Sequence, residues 1–228
     1  MTNTGRSSDA GMPLVAALEA LRGVRRDDEV VITTMGSARE WMKLGAPHPL
    51  DFILVPSSMG QGTSIALGLA LARPDRRIIV CSGDGSLLMN LGTLASIVAA
   101  NVPNLVVLVF DNGVYEVTGQ QPTAAAATGS AGGRAADFAG MARACGFDSV
   151  HRFTDAGSWS ANARAVLDAS GPTFVALDVA PVIGGVAPHS PGPAPARAAD
   201  FMTALGASSS SAGHDDSAAS PRVRPGRS

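Results

Sequence analysis

Short, continuous apolar runs punctuate the chain: VVITT at 30–34, FILV at 52–55, IIVC at 78–81, LVVLVF at 105–110 and TFVAL at 173–177. Runs of this length, rich in β-branched residues and lacking polar alternation, are the pattern of strands buried on both faces. They predict strands at Glu29–Thr34, Phe52–Val55, Arg77–Cys81, Leu105–Asp111 and Thr173–Asp178. Between them, apolar residues recur at three- and four-residue spacing. This spacing predicts helices over Pro13–Leu21, with Gly23 as a stop, over Gly60–Ala72, ended by Pro74, and in one long stretch from about Leu87 to Ala100. Further helices are predicted around Arg39, Glu40 and Trp41, over Ala135–Cys145 and over Gly157–Ala169. Strands alternating with helices at these lengths predict an α/β fold, a doubly wound and mainly parallel sheet with helices on both faces.

Composition divides the chain into three. Residues 1–11 are polar and read as a flexible N-terminus, and residues 12–182 carry the periodic elements of one domain. Residues 183–228 turn to Ala, Ser, Pro and Gly, which predicts a disordered tail with too little apolar surface to offset its ordering entropy. Inside the domain, Pro122–Gly133 is dominated by Ala, Thr and Gly and reads as a mobile loop. The 17 Lys and Arg against 19 Asp and Glu give no sign of a nucleic-acid surface. No apolar run approaches a bilayer span, and the polar first residues lack a signal peptide's core, so no membrane partner is expected. Cys81 and Cys145 fit neither a metal spacing nor a disulfide framework, which suggests a reducing, cytoplasmic setting.

Candidate chemistry sits after two of the strands. Gly83-Asp84-Gly85-Ser86 follows one and Asp111-Asn112-Gly113 follows another, so that Asp84 and Asn112 stand 28 positions apart at two strand ends. In an open parallel sheet such ends face one crevice. A carboxylate and an amide oxygen are a suitable partial shell for Mg²⁺, which takes its remaining ligands from phosphate and water. Gly83 and Gly85 allow close backbone approach to a phosphate, and a helix opening at Ser86 would present its first N–H groups to an anion. A tight turn after a strand accounts for GDGS alone equally well; the second element shifts the balance toward a site.

Gly83 to Asn112 resembles the thiamine diphosphate motif, which opens with GDG and closes with an asparagine pair roughly thirty residues on. Here Asp111 stands where the first asparagine often does. The run from Gly83 through YEVTGQQPT resembles the β subunits of sulfopyruvate decarboxylase and the matching domain of phosphonopyruvate decarboxylase. The resemblance implies the thiamine diphosphate-binding fold, with Asp84, Asn112 and the Val114 carbonyl on Mg²⁺. It places Gly83, Gly85 and Ser86, with Gly36 and Ser37 after the first strand, at the diphosphate. In Pro56-Ser57-Ser58-Met59-Gly60 it places Ser57, Ser58 and Met59 at the aminopyrimidine, Met59 as a wedge under the bent cofactor; by itself, Met59 reads as a flexible apolar filler. Tyr115 and Val117 would lie beside the diphosphate and thiazolium.

Other residues are less committed. Ser37 could be the N-cap of its helix, a role compatible with a phosphate contact. Arg39 reads either as a clamp for an anionic substrate or as one half of a surface ion pair. Glu116 stands where relatives often have glycine, and is expected to be a solvated side chain rather than a catalytic acid. The four histidines are dispersed, without a metal or nucleophile spacing.

In most of this superfamily a glutamate from a separate pyrimidine-binding domain activates the cofactor. The glutamates here are Glu19, Glu29, Glu40 and Glu116, and none stands in that context. No catalytic residue is therefore assigned to this chain. The resemblance implies a heteromer, this chain being a β-type subunit that binds thiamine diphosphate and Mg²⁺ while a pyrimidine-domain α subunit supplies the glutamate. The implied reaction is decarboxylation of a small anionic 2-oxo acid to an aldehyde, sulfopyruvate and phosphonopyruvate being equally compatible. A carboligase of the acetolactate synthase kind, a 2-oxoacid:ferredoxin oxidoreductase β subunit and a non-catalytic regulatory subunit remain alternatives.

Overall fold

The computed structural model describes residues 11–56, 59–124, 126 and 135–206. Its strands are β1 (Met12–Pro13), β2 (Val30–Thr34), β3 (Asp51–Leu54), β4 (Ile78–Gly83), β5 (Leu105–Asp111), β6 (Val114–Tyr115), β7 (Gln121–Pro122), β8 (Ser149–Phe153) and β9 (Thr173–Ala180). The helices are α1 (Leu14–Val24), α2 (Met35–Lys43), α3 (Gln61–Ala72), α4 (Asp84–Leu88), α5 (Thr93–Ala100), α6 (Phe138–Cys145), α7 (Ala156–Asp168) and α8 (Ala194–Leu205). A seven-stranded sheet runs in the order β1-β9-β5-β4-β2-β3, with β8 also against β9, and each of its pairings is parallel. β6 and β7 form a separate antiparallel ribbon.

The apolar runs explain the layering. Val30, Ile32, Ile78, Val80, Leu105, Val107 and Val109 face one side, where α3, α5 and α6 add Ala66, Ala70, Leu94, Ile97, Phe138 and Ala142. The alternate residues Val31, Ile79, Cys81, Val106, Leu108 and Phe110 face the other side, where α1, α2 and α7 add Leu18, Leu21, Trp41, Trp159 and Leu167. Both faces are covered, which is why the strands show no polar alternation. From β2 the chain crosses to β3 at one edge, whereas from β4 it continues to β5 in the opposite direction. The crevice at such a reversal lies outside the carboxyl ends of β2 and β4.

Several boundaries differ from the sequence expectation. The stretch expected as one helix from 87 to 100 is two, α4 and α5, separated at Met89–Gly92 by tight i−3 bonds from the N–H groups of Asn90, Thr93 and Leu94. Gly23 does not stop α1 but lies within it. β8 is an unanticipated short strand whose Arg152 pairs with Asp178, with a charge interrupting its apolar signal.

The largest difference lies at residues 194–205, within the stretch whose composition predicts no packed structure. They form α8, which follows Pro193 and ends at Gly206 with φ of +75°. Helix α8 covers the edge strand β3: Phe201 is buried with its ring 4.9 Å from that of Phe52, and Arg197 donates to the carbonyls of Ile53 and Val55. Arg73 donates to the Leu205 carbonyl at the end of the helix. Two buried apolar residues, two hydrogen bonds from Arg197 to the Ile53 and Val55 carbonyls and one from Arg73 to the helix end hold a segment that is otherwise rich in alanine. Sheet edges carry unpaired backbone groups and are commonly covered in this way.

Replacing Phe201 by Ala should destabilise the chain by about 3 kcal/mol, the usual cost of emptying a buried aromatic position. Denaturant unfolding measures it, and an unchanged midpoint would show that α8 contributes nothing to the core.

Candidate active site

The crevice at the ends of β2 and β4 is a cleft enclosing about 670 Å³ of space, open solvent included. Gly36, Ser37, Met59, Gly83, Asp84, Gly85, Ser86, Asn112, Val114, Tyr115 and Val117 all line it, so the structure brings together the described members of the expected site. Ser57 and Ser58 lie outside the described residues. Leu14, Met35, Phe110, Glu116, Thr118 and Val179 complete the walls.

Register places the acidic centre. β4 and β5 pair from Ile78 opposite Leu105 to Gly83 opposite Phe110, so the two strands end side by side. Gly113, with φ of +74°, turns its N–H back to Asp84 Oδ2 at 3.0 Å. The Thr123 hydroxyl, arriving from the end of β7, donates to the same oxygen at 3.2 Å. No sequence signal singles out Thr123, because it lies in an Ala/Thr/Gly stretch that reads as a loop. Burial pushes the Asp84 carboxyl up to about 7; the N–H groups of Gly85 and Gly113 and the Thr123 hydroxyl oppose that rise, and the nearby Asp111 carboxylate adds to it.

Asn112 is held from both ends of its amide. Its Oδ1 accepts from Val114 N–H at 2.9 Å and its Nδ2 donates to Glu116 Oε1 at 2.7 Å. Glu116 corrects the expectation of a solvated side chain, for it is buried and also accepts from Val182 N–H at 2.9 Å and from Arg39 Nη2 at 3.0 Å. Arg39 is likewise neither a surface residue nor a free clamp. It is buried, bonds Glu40 and Glu116, and donates to the Val186 carbonyl.

The remaining contacts refine individual roles. Thr34, not Ser37, is the N-cap of α2; Ser37 Oγ lies within bonding distance of the carbonyls of Thr34 and Cys81, tying β2 to β4, and accepts from Thr34 N–H. Ser86 Oγ accepts from Gly60 N–H at 3.0 Å, and Asn90 Nδ2 donates to the Gly60 carbonyl at 3.1 Å. Gly60 is thus held from both sides, which fixes Met59 at the cleft. Helix α4 begins at Asp84 rather than Ser86 and has five residues, too few for a large dipole.

Two glycines are explained differently. A Cβ on Gly85 would stand 2.3 Å from the Tyr115 ring, so that position is closed by packing. Gly83 has φ of −82° and nothing within 4 Å of where a Cβ would stand. Its backbone does not demand glycine, and the open space beside it is space that an incoming group can use.

The family model "Thiamine pyrophosphate enzyme, C-terminal TPP binding domain" matches residues 34–177, well over half of the chain. The chain belongs to this family. Among its relatives, the phosphonopyruvate decarboxylase of Streptomyces viridochromogenes is 40% identical over 178 residues, covering 78% of this chain and 42% of that protein. The sulfopyruvate decarboxylase subunit beta of Methanothermobacter thermautotrophicus is 36% identical over 167 residues, covering 73% of this chain and 82% of the subunit. This thiamine pyrophosphate domain therefore spans about two fifths of the first relative and most of the second. The Rhodococcus jostii thiamine diphosphate-dependent 4-hydroxybenzoylformate decarboxylase shares its fold, with a TM-score of 0.61 at 20% identity, over 78% of this chain and 34% of that one.

The donor set is compatible with the Mg²⁺ and diphosphate that the resemblance implies. No three His, Cys, Asp or Glu side chains gather as a metal site among the described residues. A cation here would instead draw on one carboxylate, one amide oxygen and backbone, completed by phosphate and water, which is how Mg²⁺ is commonly held. An Asp84 carboxyl kept from water and raised by burial would be relieved by such a cation. No helix among the described residues is long and apolar enough to cross a membrane.

The Gly113→Ala variant should lose about 1–2 kcal/mol, because a Cβ is strained at positive φ. Thermal unfolding of the two proteins checks this; equal stability would mean that the loop can carry the Gly113–Asp84 bond in another conformation.

Proposed function

We propose that this chain is the β-type subunit of a thiamine diphosphate- and Mg²⁺-dependent 2-oxo acid decarboxylase of the sulfopyruvate or phosphonopyruvate type. The observation that carries the proposal is the junction of the two strand-end loops, where Gly113 N–H seals Asp84 beside Asn112 in the family's cofactor crevice. Asp84 and the Asn112 Oδ1 would hold Mg²⁺ with the Val114 carbonyl. Gly36, Ser37, Gly83, Gly85 and Ser86 would bring backbone N–H groups and one hydroxyl to the diphosphate. Met59, Tyr115 and Val117 would support the rings, Met59 from a backbone that Ser86 and Asn90 hold in place. Bound in this cleft, thiamine diphosphate supplies the electron sink that lets a 2-oxo acid lose carbon dioxide.

The chain's own glutamates support a partner. Glu29 pairs with Arg164, Glu40 with Arg39 and Lys43, and Glu116 with Arg39, while Glu19 is exposed on α1. None stands free in the cleft to protonate the cofactor's aminopyrimidine. A second polypeptide would bring that glutamate, and relatives named as a beta subunit accord with such an arrangement. With Arg39 satisfied internally, recognition of the substrate's anionic group falls chiefly to that partner as well.

Replacing Asp84 by Ala should abolish Mg²⁺-dependent binding of thiamine diphosphate, measured by calorimetry on the assembled enzyme; wild-type affinity would refute the assignment. The purified chain alone should release no aldehyde from sulfopyruvate or phosphonopyruvate, and full decarboxylase activity without a partner would remove the heteromer. Product analysis of the assembled enzyme, with and without an aldehyde acceptor, separates decarboxylation from carboligation.

A further inference from the structure

We infer that Glu116 is a positioning residue that fixes which end of the Asn112 carboxamide faces the metal. The inference rests on the cofactor reading above and goes beyond it. An asparagine amide is nearly symmetric in shape, yet only its oxygen can ligate a cation. Turned over, it would present two N–H bonds to Mg²⁺, so a metal site built on asparagine needs a device that sets the flip. Asn112 has one at each end. Oδ1 accepts from the Val114 N–H, leaving a second lone pair for the cation, and Nδ2 donates a hydrogen bond to Glu116 Oε1 at 2.7 Å. In the flipped amide, Nδ2 would meet the Val114 N–H donor and Oδ1 would meet a carboxylate that only accepts, so both bonds would be lost.

The carboxylate is itself fixed. Glu116 Oε1 also receives Val182 N–H at 2.9 Å, and Oε2 receives Arg39 Nη2 at 3.0 Å. Arg39 is oriented in turn by Glu40 at 2.5 Å and by the Val186 carbonyl at 3.0 Å. Gly36 leaves room for this arrangement, because a Cβ there would stand 3.2 Å from Glu116 Oε2. The chain Glu40–Arg39–Glu116–Asn112 therefore runs from α2 to the amide. Groups behind a metal ligand commonly orient it in this way.

The arrangement distinguishes Glu116→Gln from a merely structural lesion. A glutamine cannot offer acceptors to both Arg39 and Asn112. If its oxygen turns to Arg39, its NH₂ faces Asn112 and favours the flipped amide, in which nitrogen points at the cation. A carboxylate in place of the Asn112 amide has no wrong orientation, so adding Asn112→Asp to the Glu116→Gln variant should restore what the glutamine took away.

Two measurements test this. In the ¹⁵N-labelled full chain without metal, the Asn112 side-chain NH₂ signal, assigned by its loss in Asn112→Asp, should exchange slowly with solvent and lose that protection in Glu116→Gln. With thiamine diphosphate present, Mn²⁺ affinity of the assembled enzyme, read by electron paramagnetic resonance, should fall about 10–100-fold in Glu116→Gln. It should recover at least several-fold in the double variant. Unchanged protection, unchanged Mn²⁺ affinity in Glu116→Gln, or a double variant no tighter than Glu116→Gln would each overturn the role. Should the wild-type enzyme hold no Mn²⁺, the cofactor reading fails, whereas the NH₂ signal still decides whether Glu116 sets the amide.

Discussion

The hydrogen bond from Gly113 N–H to Asp84 depends on β4 and β5 ending in step, and most of the site depends on it. Their register is held because each strand is buried on both faces against different helices. Sliding β4 by one residue would exchange Ile78 and Val80, on the face packed by α3, for Ile79 and Cys81, on the face packed by α2. Neither core is shaped for the other's side chains, so the register is strongly specified. Function at the strand ends therefore rests on packing along the strands. Cys81, buried and with its thiol pushed well above the ordinary range by desolvation, belongs to that packing and not to the chemistry.

The parts of this architecture visible in the sequence are those that a local pattern encodes. VVITT, IIVC and LVVLVF announce double-faced burial by composition alone, and GDGS and DNG mark strand ends because glycine and small polar residues collect where the backbone turns. Met59 and Gly36-Ser37 become visible only through resemblance to a family, since neither stands in a pattern that demands a cofactor. α8 stays hidden because its hold on β3 comes from Phe201, Arg197 and a carbonyl bond from Arg73, long-range contacts that its own alanine-rich segment does not reveal. The Pro193 and Gly206 that bound it are the available signal.

Glu116 misleads for a related reason. A glutamate in a loop after a strand end is by composition a solvated residue, and its burial follows from partners that the local pattern does not announce: Arg39 on α2 and Val182 after β9, both far away in sequence, and the Asn112 amide within its own loop. Arg39 misleads with it, because each of the two charges is explicable only through the other. Pairs of this kind are specified by the folded sheet, which brings the ends of β2, β5 and β9 together.

If the cleft binds a divalent cation and a diphosphate as proposed, its charge balance would account for their binding together. Asp84, Asp111 and Glu116 are buried carboxyl groups near the ends of β4 and β5, and Glu116 is paired with Arg39, which also engages Glu40. On the proposed reading a bare diphosphate would be repelled by the Asp84 carboxylate, and the few N–H groups at Gly36, Ser37 and the short α4 would offer little against it. A Mg²⁺ held by Asp84 and the Asn112 Oδ1 would supply the positive charge that offsets both partners. Diphosphate binding would then be conditional on the metal, and the orientation of one amide oxygen would matter to the whole cofactor.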